Sequence, residues 1–270
     1  TISVGSYVNT HSLLHVVNDG LMVFFFFLVG LEIKRELLVG HLRQVKMALF
    51  PVISAIGGVV MPAVFYSVFP HSAATAGGWA IPTATDIAFS LAVLSLISSS
   101  VPIGLKVFLT TLAIADDIIG IIIIGVLYTS ELSVLAAAAA ILLLCFMYLL
   151  NKTGVRSTFV YTVLSALVWI AVAKSGIHPT IAGVLAAMTI PVKPKVAFED
   201  YLKRSRVHLK KLITHENATV NILTDEYAKE SIFMIGRLSE RALTPLTKME
   251  TALHSFVHYL VLPFFAFVNS

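Results

Sequence analysis

The strongest constraint on this chain is a long stretch that is almost free of charge. A spanning helix needs about 20 mostly apolar residues, and segments of that kind recur along the sequence. Lipid is therefore the solvent for much of the molecule, and an ordinary soluble enzyme is excluded. Residues 51–150 contain five acidic or basic side chains, Asp86, Lys106, Asp116, Asp117 and Glu131.

Eight apolar segments are candidates for membrane spans. They cover about residues 20–31, 47–69, 79–97, 103–128, 132–150, 159–173, 177–192 and 253 onward. The loops after the first, third, fifth and seventh segments carry 18 of the 19 Lys and Arg residues. Because basic residues concentrate in cytoplasmic loops, these loops are predicted to be cytoplasmic. The net charge of +4 then requires no nucleic-acid partner.

The distribution of charge also suggests how the chain is divided. We expect an extracytoplasmic segment at 1–18, a transmembrane bundle at 19–192, a charged cytoplasmic loop at 193–251 and a truncated final span at 252–270. Amphipathic stretches in the loop, such as YLKRSRVHLKKL, predict helices in water or on an anionic membrane surface. Since the sequence starts with Thr1 and stops in an apolar segment, a fragment lacking an earlier span is expected.

Three aspartates occupy positions where charge is costly. Asp86 lies in the middle of the third segment, and Asp116 and Asp117 lie in the middle of the fourth. Intramembrane carboxylates usually face a partner or a water-filled cavity and mark functional sites. Burial and mutual repulsion favour protonation, so such groups can exchange a proton for a hard cation such as Na⁺ or Li⁺. A helix-packing hydrogen bond or a salt bridge to Lys106 is the structural alternative.

The residues before Asp86 predict an interrupted helix. Pro82 removes a backbone donor, and the hydroxyl groups of Thr83 and Thr85 can satisfy freed carbonyls. Broken helices at the membrane midplane expose backbone groups to ions in transporters. A simple proline kink is the alternative interpretation.

Six stretches of the sequence resemble the NhaA-type sodium/proton antiporters. They are FFFFLVGLEIKREL, FPVISAIGG, GWAIPTATDIAFSLAVLSL, VPIGLKVFLTTLAIADDIIGIIIIGVLYT, KSGIHPTIAGV and YLVLPFFAFVN. The pairing of ATDIAF with LAIADD about thirty residues later is the most specific of these. The resemblance implies an all-α integral membrane protein, a multi-span helical bundle with discontinuous helices.

The resemblance also implies two groups of functional residues. The ion- and proton-binding group is Asp116, Asp117, Asp86 and Thr85, with Asp116 and Asp117 as Na⁺ ligands. Asp86 would compensate exposed helix ends where two unwound chains cross. The pH-responsive group at the cytoplasmic entrance is Glu32, Arg35, Glu36, Glu250 and His254.

Further expectations concern partners and location. The resemblance implies exchange of Na⁺ or Li⁺ for H⁺ across the bacterial inner membrane, with no cofactor. It implies a homodimer formed through an extracytoplasmic β-hairpin, of which residues 1–12 would be a remnant. A lysine and a second inverted repeat that the family carries would follow residue 270, the stretch 198–247 is unusually long, and Thr251 replaces an expected histidine.

Two other functions remain open from the sequence. An intramembrane aspartyl protease also uses two carboxylates at membrane depth, but Asp116 and Asp117 are adjacent, so Asp86 would have to complete the dyad. No GxGD motif is present. The chain could also be an inactive membrane fragment.

Overall fold

The computed structural model describes residues 2–4, 7–9, 16–69, 75, 78–79, 93–94, 101–127, 132–213 and 225–269. These residues are helical except for short connections and one hairpin, in which strand β1 (Ile2–Val4) pairs antiparallel with β2 (Tyr7–Asn9). Most of the predicted third span, including Thr85 and Asp86, lies outside the described residues.

The described helices follow the predicted order of apolar segments. A π-helical turn at Val16–Leu21 leads into the first α-helix, and a 3-10 turn at His41–Arg43 precedes the second. A second π-helical turn, at Val257–Val261, joins the last two α-helices into one continuous helix. The all-α, multi-span class predicted from the sequence is confirmed. The helices are α1 (Met22–Val39), α2 (Val45–Val68), α3 (Ile103–Leu127), α4 (Val134–Lys152), α5 (Thr158–Ala173), α6 (Thr180–Thr189), α7 (Phe198–Ile213), α8 (Glu226–Ala242), α9 (Pro245–Phe256) and α10 (Leu262–Asn269).

Several helices have the length and composition of membrane spans. Within the described residues, three qualify on both counts, at Lys46–Val68, Val134–Lys152 and Pro245–Asn269. Their large apolar side chains point outward, as in Leu135 of α4, which is 84% exposed. Such an apolar surface would aggregate in water, so the protein is a multi-pass membrane protein with lipid around these helices.

The core lies where α1, α4, α5, α6 and α9 meet. Tyr161 and Val168 of α5, Met147 of α4 and Leu31 of α1 have no measurable exposure. They belong to one cluster that also includes Leu246 at the start of α9. This cluster holds α1 against α9, which positions the residues predicted for the cytoplasmic entrance.

Helices α1 and α6 approach each other through glycines. A Cβ atom on Gly183 of α6 would lie 2.6 Å from the carbonyl oxygen of Val23, and one on Gly30 of α1 would lie 2.8 Å from the Cβ of Ala187. Small residues allow this close backbone contact, which is a common means of helix association in membranes.

The charged stretch contains a separate helical hairpin. Helices α7 and α8 pack together, and Tyr201 and Ser239 join them through a hydrogen bond of 3.1 Å between their hydroxyl oxygens. The predicted amphipathic helices therefore form. The last residues of the same stretch start the long final helix at Pro245, ahead of the predicted apolar segment.

The glycine contact gives a stability prediction. Gly183→Ala should lower the free energy of unfolding by about 1 to 3 kcal/mol, because the added methyl group has only backbone to displace. Thermal unfolding in detergent measures the change. Gly58→Ala is the matched control, since a Cβ atom there meets nothing within 4 Å. Equal melting temperatures for the two variants would contradict the proposed role of the glycine contact.

Candidate functional site

The acidic pair lies within an apolar helix. Asp116 and Asp117 are near the middle of the 25-residue helix α3, and Asp116 is only 8% exposed. The preceding residues Ala113, Ile114 and Ala115 are buried as well. Both carboxylates interact with neighbouring groups, as expected for acids held at this depth.

Contacts with α1 fix the orientation of this part of α3. Ile114 packs against Val29 and Ile33 of α1 in one buried cluster. Adjacent residues on a helix point about 100° apart, so the two carboxylates address different sectors around α3.

The salt bridge to Lys106 considered from the sequence does not form with Asp116 or Asp117, and Asp86 lies outside the described residues. Lys106 lies in the first turn of α3, which begins at Ile103. Ten residues separate it from Asp116, which is about 15 Å along a helix axis. This distance excludes direct pairing.

At the other predicted group, the structure brings α1 and α9 together. The Arg35 guanidinium on α1 donates a hydrogen bond to Oε1 of Glu250 on α9, forming an ion pair. The Glu250 side chain is 13% exposed and that of Arg35 is 45% exposed. The pair is thus partly shielded from water, which strengthens its attraction relative to a surface pair.

Glu32 lies beside this ion pair, beyond the first predicted span. Burial raises the pKa of the Glu32 carboxyl, and the negative charges of Glu250 and Glu36 raise it further, whereas Arg35 and His258 oppose them. Glu32 therefore titrates nearer to neutral pH than an ordinary glutamate. Three of the predicted entrance acids are in electrostatic contact.

Two histidines stack on the same side of the last helix. The rings of His254 and His258 lie 4.2 Å apart with an angle of 21° between their planes. Nδ1 of His258 lies 2.8 Å from the carbonyl oxygen of His254. Because a carbonyl can only accept, Nδ1 of His258 is the donor in this hydrogen bond.

Known proteins similar to this chain carry one consistent description. The family model for Na+/H+ antiporter 1 matches residues 1–270. An Na(+)/H(+) antiporter NhaA of Wolinella succinogenes is 43% identical over 259 residues, covering 96% of this chain and 57% of that protein. The NhaA proteins of Bacteroides thetaiotaomicron and Oleidesulfovibrio alaskensis are 42% and 40% identical, covering 96% and 100% of this chain and 58% and 60% of their own lengths. The chain belongs to the Na+/H+ antiporter 1 family.

Family membership narrows the functional alternatives. This member of the Na+/H+ antiporter 1 family spans 57% to 60% of the length of these relatives. The family model and these relatives are named as antiporters, which argues against the protease interpretation. Thr85 and Asp86 lie outside the described residues, and their geometry stays a prediction.

A buried lysine, Lys34, binds carbonyl groups at the C-terminal end of α6. Nζ of Lys34 donates to the carbonyl oxygens of Met188, at 2.6 Å, and Ile190. Nδ2 of Asn151 donates a hydrogen bond of 2.8 Å to the carbonyl oxygen of Thr189. The end of α6 leaves unpaired carbonyls with partial negative charge, and these two side chains satisfy them.

Sequence reasoning missed Lys34 and His258 for different reasons. Lys34 lies three residues beyond the first predicted span, where a basic residue normally contacts water or lipid headgroups. The position of Lys34 two residues after Glu32, in the same helix, could have marked it as a residue of interest. His258 follows His254 by four residues, and that spacing places two side chains on one helix face.

The capping role of Lys34 can be measured. Lys34→Met should lower the free energy of unfolding by about 2 to 3 kcal/mol, because it leaves two buried carbonyls without a donor. Thermal unfolding in detergent should show a drop of several degrees. Lys46→Met, which removes an exposed lysine of α2, should leave the melting temperature nearly unchanged. A similar drop in both variants would rule out the cap as the cause.

The raised pKa of Glu32 predicts a pH-dependent stability. A carboxyl that binds its proton more tightly in the folded state makes the free energy of unfolding fall as pH rises above its ordinary pKa of 4.5. Glu32→Gln removes this dependence, so its melting temperature should decline less than that of the unchanged protein between about pH 5 and 8. Glu230→Gln, at an exposed position of α8, should keep the original slope. Parallel slopes for the Glu32 variant and the unchanged protein would contradict the assignment.

Proposed function

We propose that the protein exchanges Na⁺ or Li⁺ for H⁺ across the bacterial inner membrane. The observation that carries the proposal is the acidic pair Asp116 and Asp117 near the middle of an apolar helix, with Asp116 almost fully buried. The names of the relatives, Na(+)/H(+) antiporter NhaA, support the choice of ions.

Competition for the same carboxylates couples the two ions. When Asp116 and Asp117 are ionised they offer oxygen ligands suited to a small hard cation, and protonation removes the charge that binds it. A site that faces each side of the membrane in turn then releases the cation on one side and protons on the other. Thr85 and Asp86 complete this proposed site with a hydroxyl group and a third carboxylate.

The entrance cluster supplies pH control in this proposal. Protonation of Glu32 weakens its repulsion of Glu250, which changes the balance of charge around the Arg35 ion pair. His254 and Glu36 belong to the same cluster by position. His258 extends it, because its electrostatic effect on Glu32 opposes the rise in the pKa of that carboxyl.

Association of two copies is a further part of the proposal. Among the described residues, β1 and β2 form a two-stranded sheet, and an outer edge of such a sheet can pair with a strand of another chain. Pairing of such edges on the extracytoplasmic side would join two protomers without using the transport site.

Transport by the complete protein tests the role of the acidic pair. Asp117→Asn should abolish exchange of Na⁺ for H⁺ in membrane vesicles under a pH gradient, since an amide cannot lose a proton to bind the cation. Fluorescence of a pH-sensitive dye after addition of Na⁺ or Li⁺ is the measurement.

Asp200→Asn is the control, because Asp200 is an exposed residue of the α7–α8 hairpin. It should exchange ions at the original rate. Continued exchange by the Asp117 variant, at normal protein levels in the vesicles, would refute the assignment.

A further inference from the structure

The α7–α8 hairpin contains a basic cleft that the transport mechanism does not use. The cleft has a volume of about 310 Å³ and lies between the two helices. Its apolar wall includes Val207 and Met234. Four basic side chains line the rest, namely Arg204, His208, Arg237 and Arg241.

Among the described residues, no carboxylate balances the charge of this cleft. None of the three guanidinium groups forms an ion pair with a carboxylate among the residues that the structure describes. Three arginines directed at one space repel each other unless an anion lies between them. Guanidinium groups present planar pairs of donors that match two oxygens of a phosphate, so the favoured ligand bears a phosphate.

The position of Arg241 indicates where such a phosphate is found. Arg241 is the last residue but one of α8, and a short turn separates α8 from α9. Helix α9 runs on into the candidate membrane span Pro245–Asn269. Arg241 therefore lies next to the beginning of a candidate span, the side on which lipid headgroups lie.

Backbone contacts hold this end of the cleft in place. The carbonyl oxygen of Arg241 accepts hydrogen bonds from the backbone N–H groups of Lys195 and Val196, both at 3.1 Å. These residues lead directly into α7, whose first side chain, Phe198, is 66% exposed. An exposed aromatic ring next to a basic site is typical of contact with a membrane interface.

We propose that this cleft binds the phosphate group of an anionic phospholipid in the adjoining leaflet. The arginines bind the phosphate oxygens, and Phe198 contacts the acyl region beside the headgroup. The hairpin is thereby held on the membrane surface next to α9, the helix that carries Glu250. The inference does not depend on the proposed antiport, because its test measures lipid binding.

Binding of single lipid molecules by the full chain in uncharged detergent tests the proposal. Native mass spectrometry compares retention of dihexanoyl phosphatidylglycerol with that of dihexanoyl phosphatidylcholine, and a parallel titration uses inorganic phosphate. The anionic lipid should bind at least about tenfold more tightly than the neutral one. Equal binding of the two lipids would overturn the proposal, and so would phosphate binding as tight as that of the anionic lipid.

Variants of matched charge identify the cleft as the site. Replacing Arg204, Arg237 and Arg241 by Gln should weaken binding of the anionic lipid by about tenfold or more. The control replaces three exposed basic residues of the same two helices, Lys203, Arg206 and Lys229, by Gln. This change should alter the affinity for the anionic lipid by less than about twofold. An equal loss in both triple variants would mean that general surface charge attracts the lipid and would refute the cleft.

A third variant keeps the test decisive if the Gln triple fails to fold. Replacing Arg204, Arg237 and Arg241 by Lys preserves the charge and removes the paired donors of the guanidinium group. It should retain part of the preference for the anionic lipid and bind it more weakly than the unchanged protein. Unchanged affinity would contradict recognition by the guanidinium groups.

Discussion

The close contact of α1 with α6 determines where the other functional elements lie. Gly30 and Gly183 let the two backbones meet, and the Lys34 side chain then reaches the carbonyls at the end of α6. In lipid an unsatisfied carbonyl has no water to bind, so this cap fixes the relative positions of the two helices. Glu32 and Arg35 lie on either side of the same lysine, and the contact therefore also directs them toward Glu250.

The surroundings of a membrane protein are of low polarity, so each of its few charged side chains interacts strongly with its neighbours. Around the ion pair of Arg35 with Glu250, the acids gather near one arginine and their repulsion is partly relieved by it. In α3, Asp116 and Asp117 follow the buried residues Ala113, Ile114 and Ala115, and both aspartates interact with other groups of the protein.

Much of the fold could be predicted from apolar segment length, because a span in lipid has few alternatives to a helix. The boundaries between neighbouring apolar segments could be recognised from turn residues and from the concentration of Lys and Arg in alternate loops. The contact of Arg35 with Glu250 joins residues far apart in sequence, and only the family resemblance placed them together. Lys34 was missed because its hydrogen bonds depend on where α6 ends, which no local pattern encodes. The start of the final helix at Pro245 was missed because its first turns are polar, although Thr244 caps them through its side chain.

The π-helical turn at Val257–Val261 divides the last helix into two rotational registers. Inserting one additional residue into a helical turn rotates everything after it by about 100°. Glu250 and His254 share one face of α9 because they are four residues apart. Continuing the same four-residue spacing into α10 does not lead to the same face, because of the additional rotation. Because the π-helical turn lies between them, α9 and α10 form one continuous helix whose two halves present differently rotated faces to their neighbours.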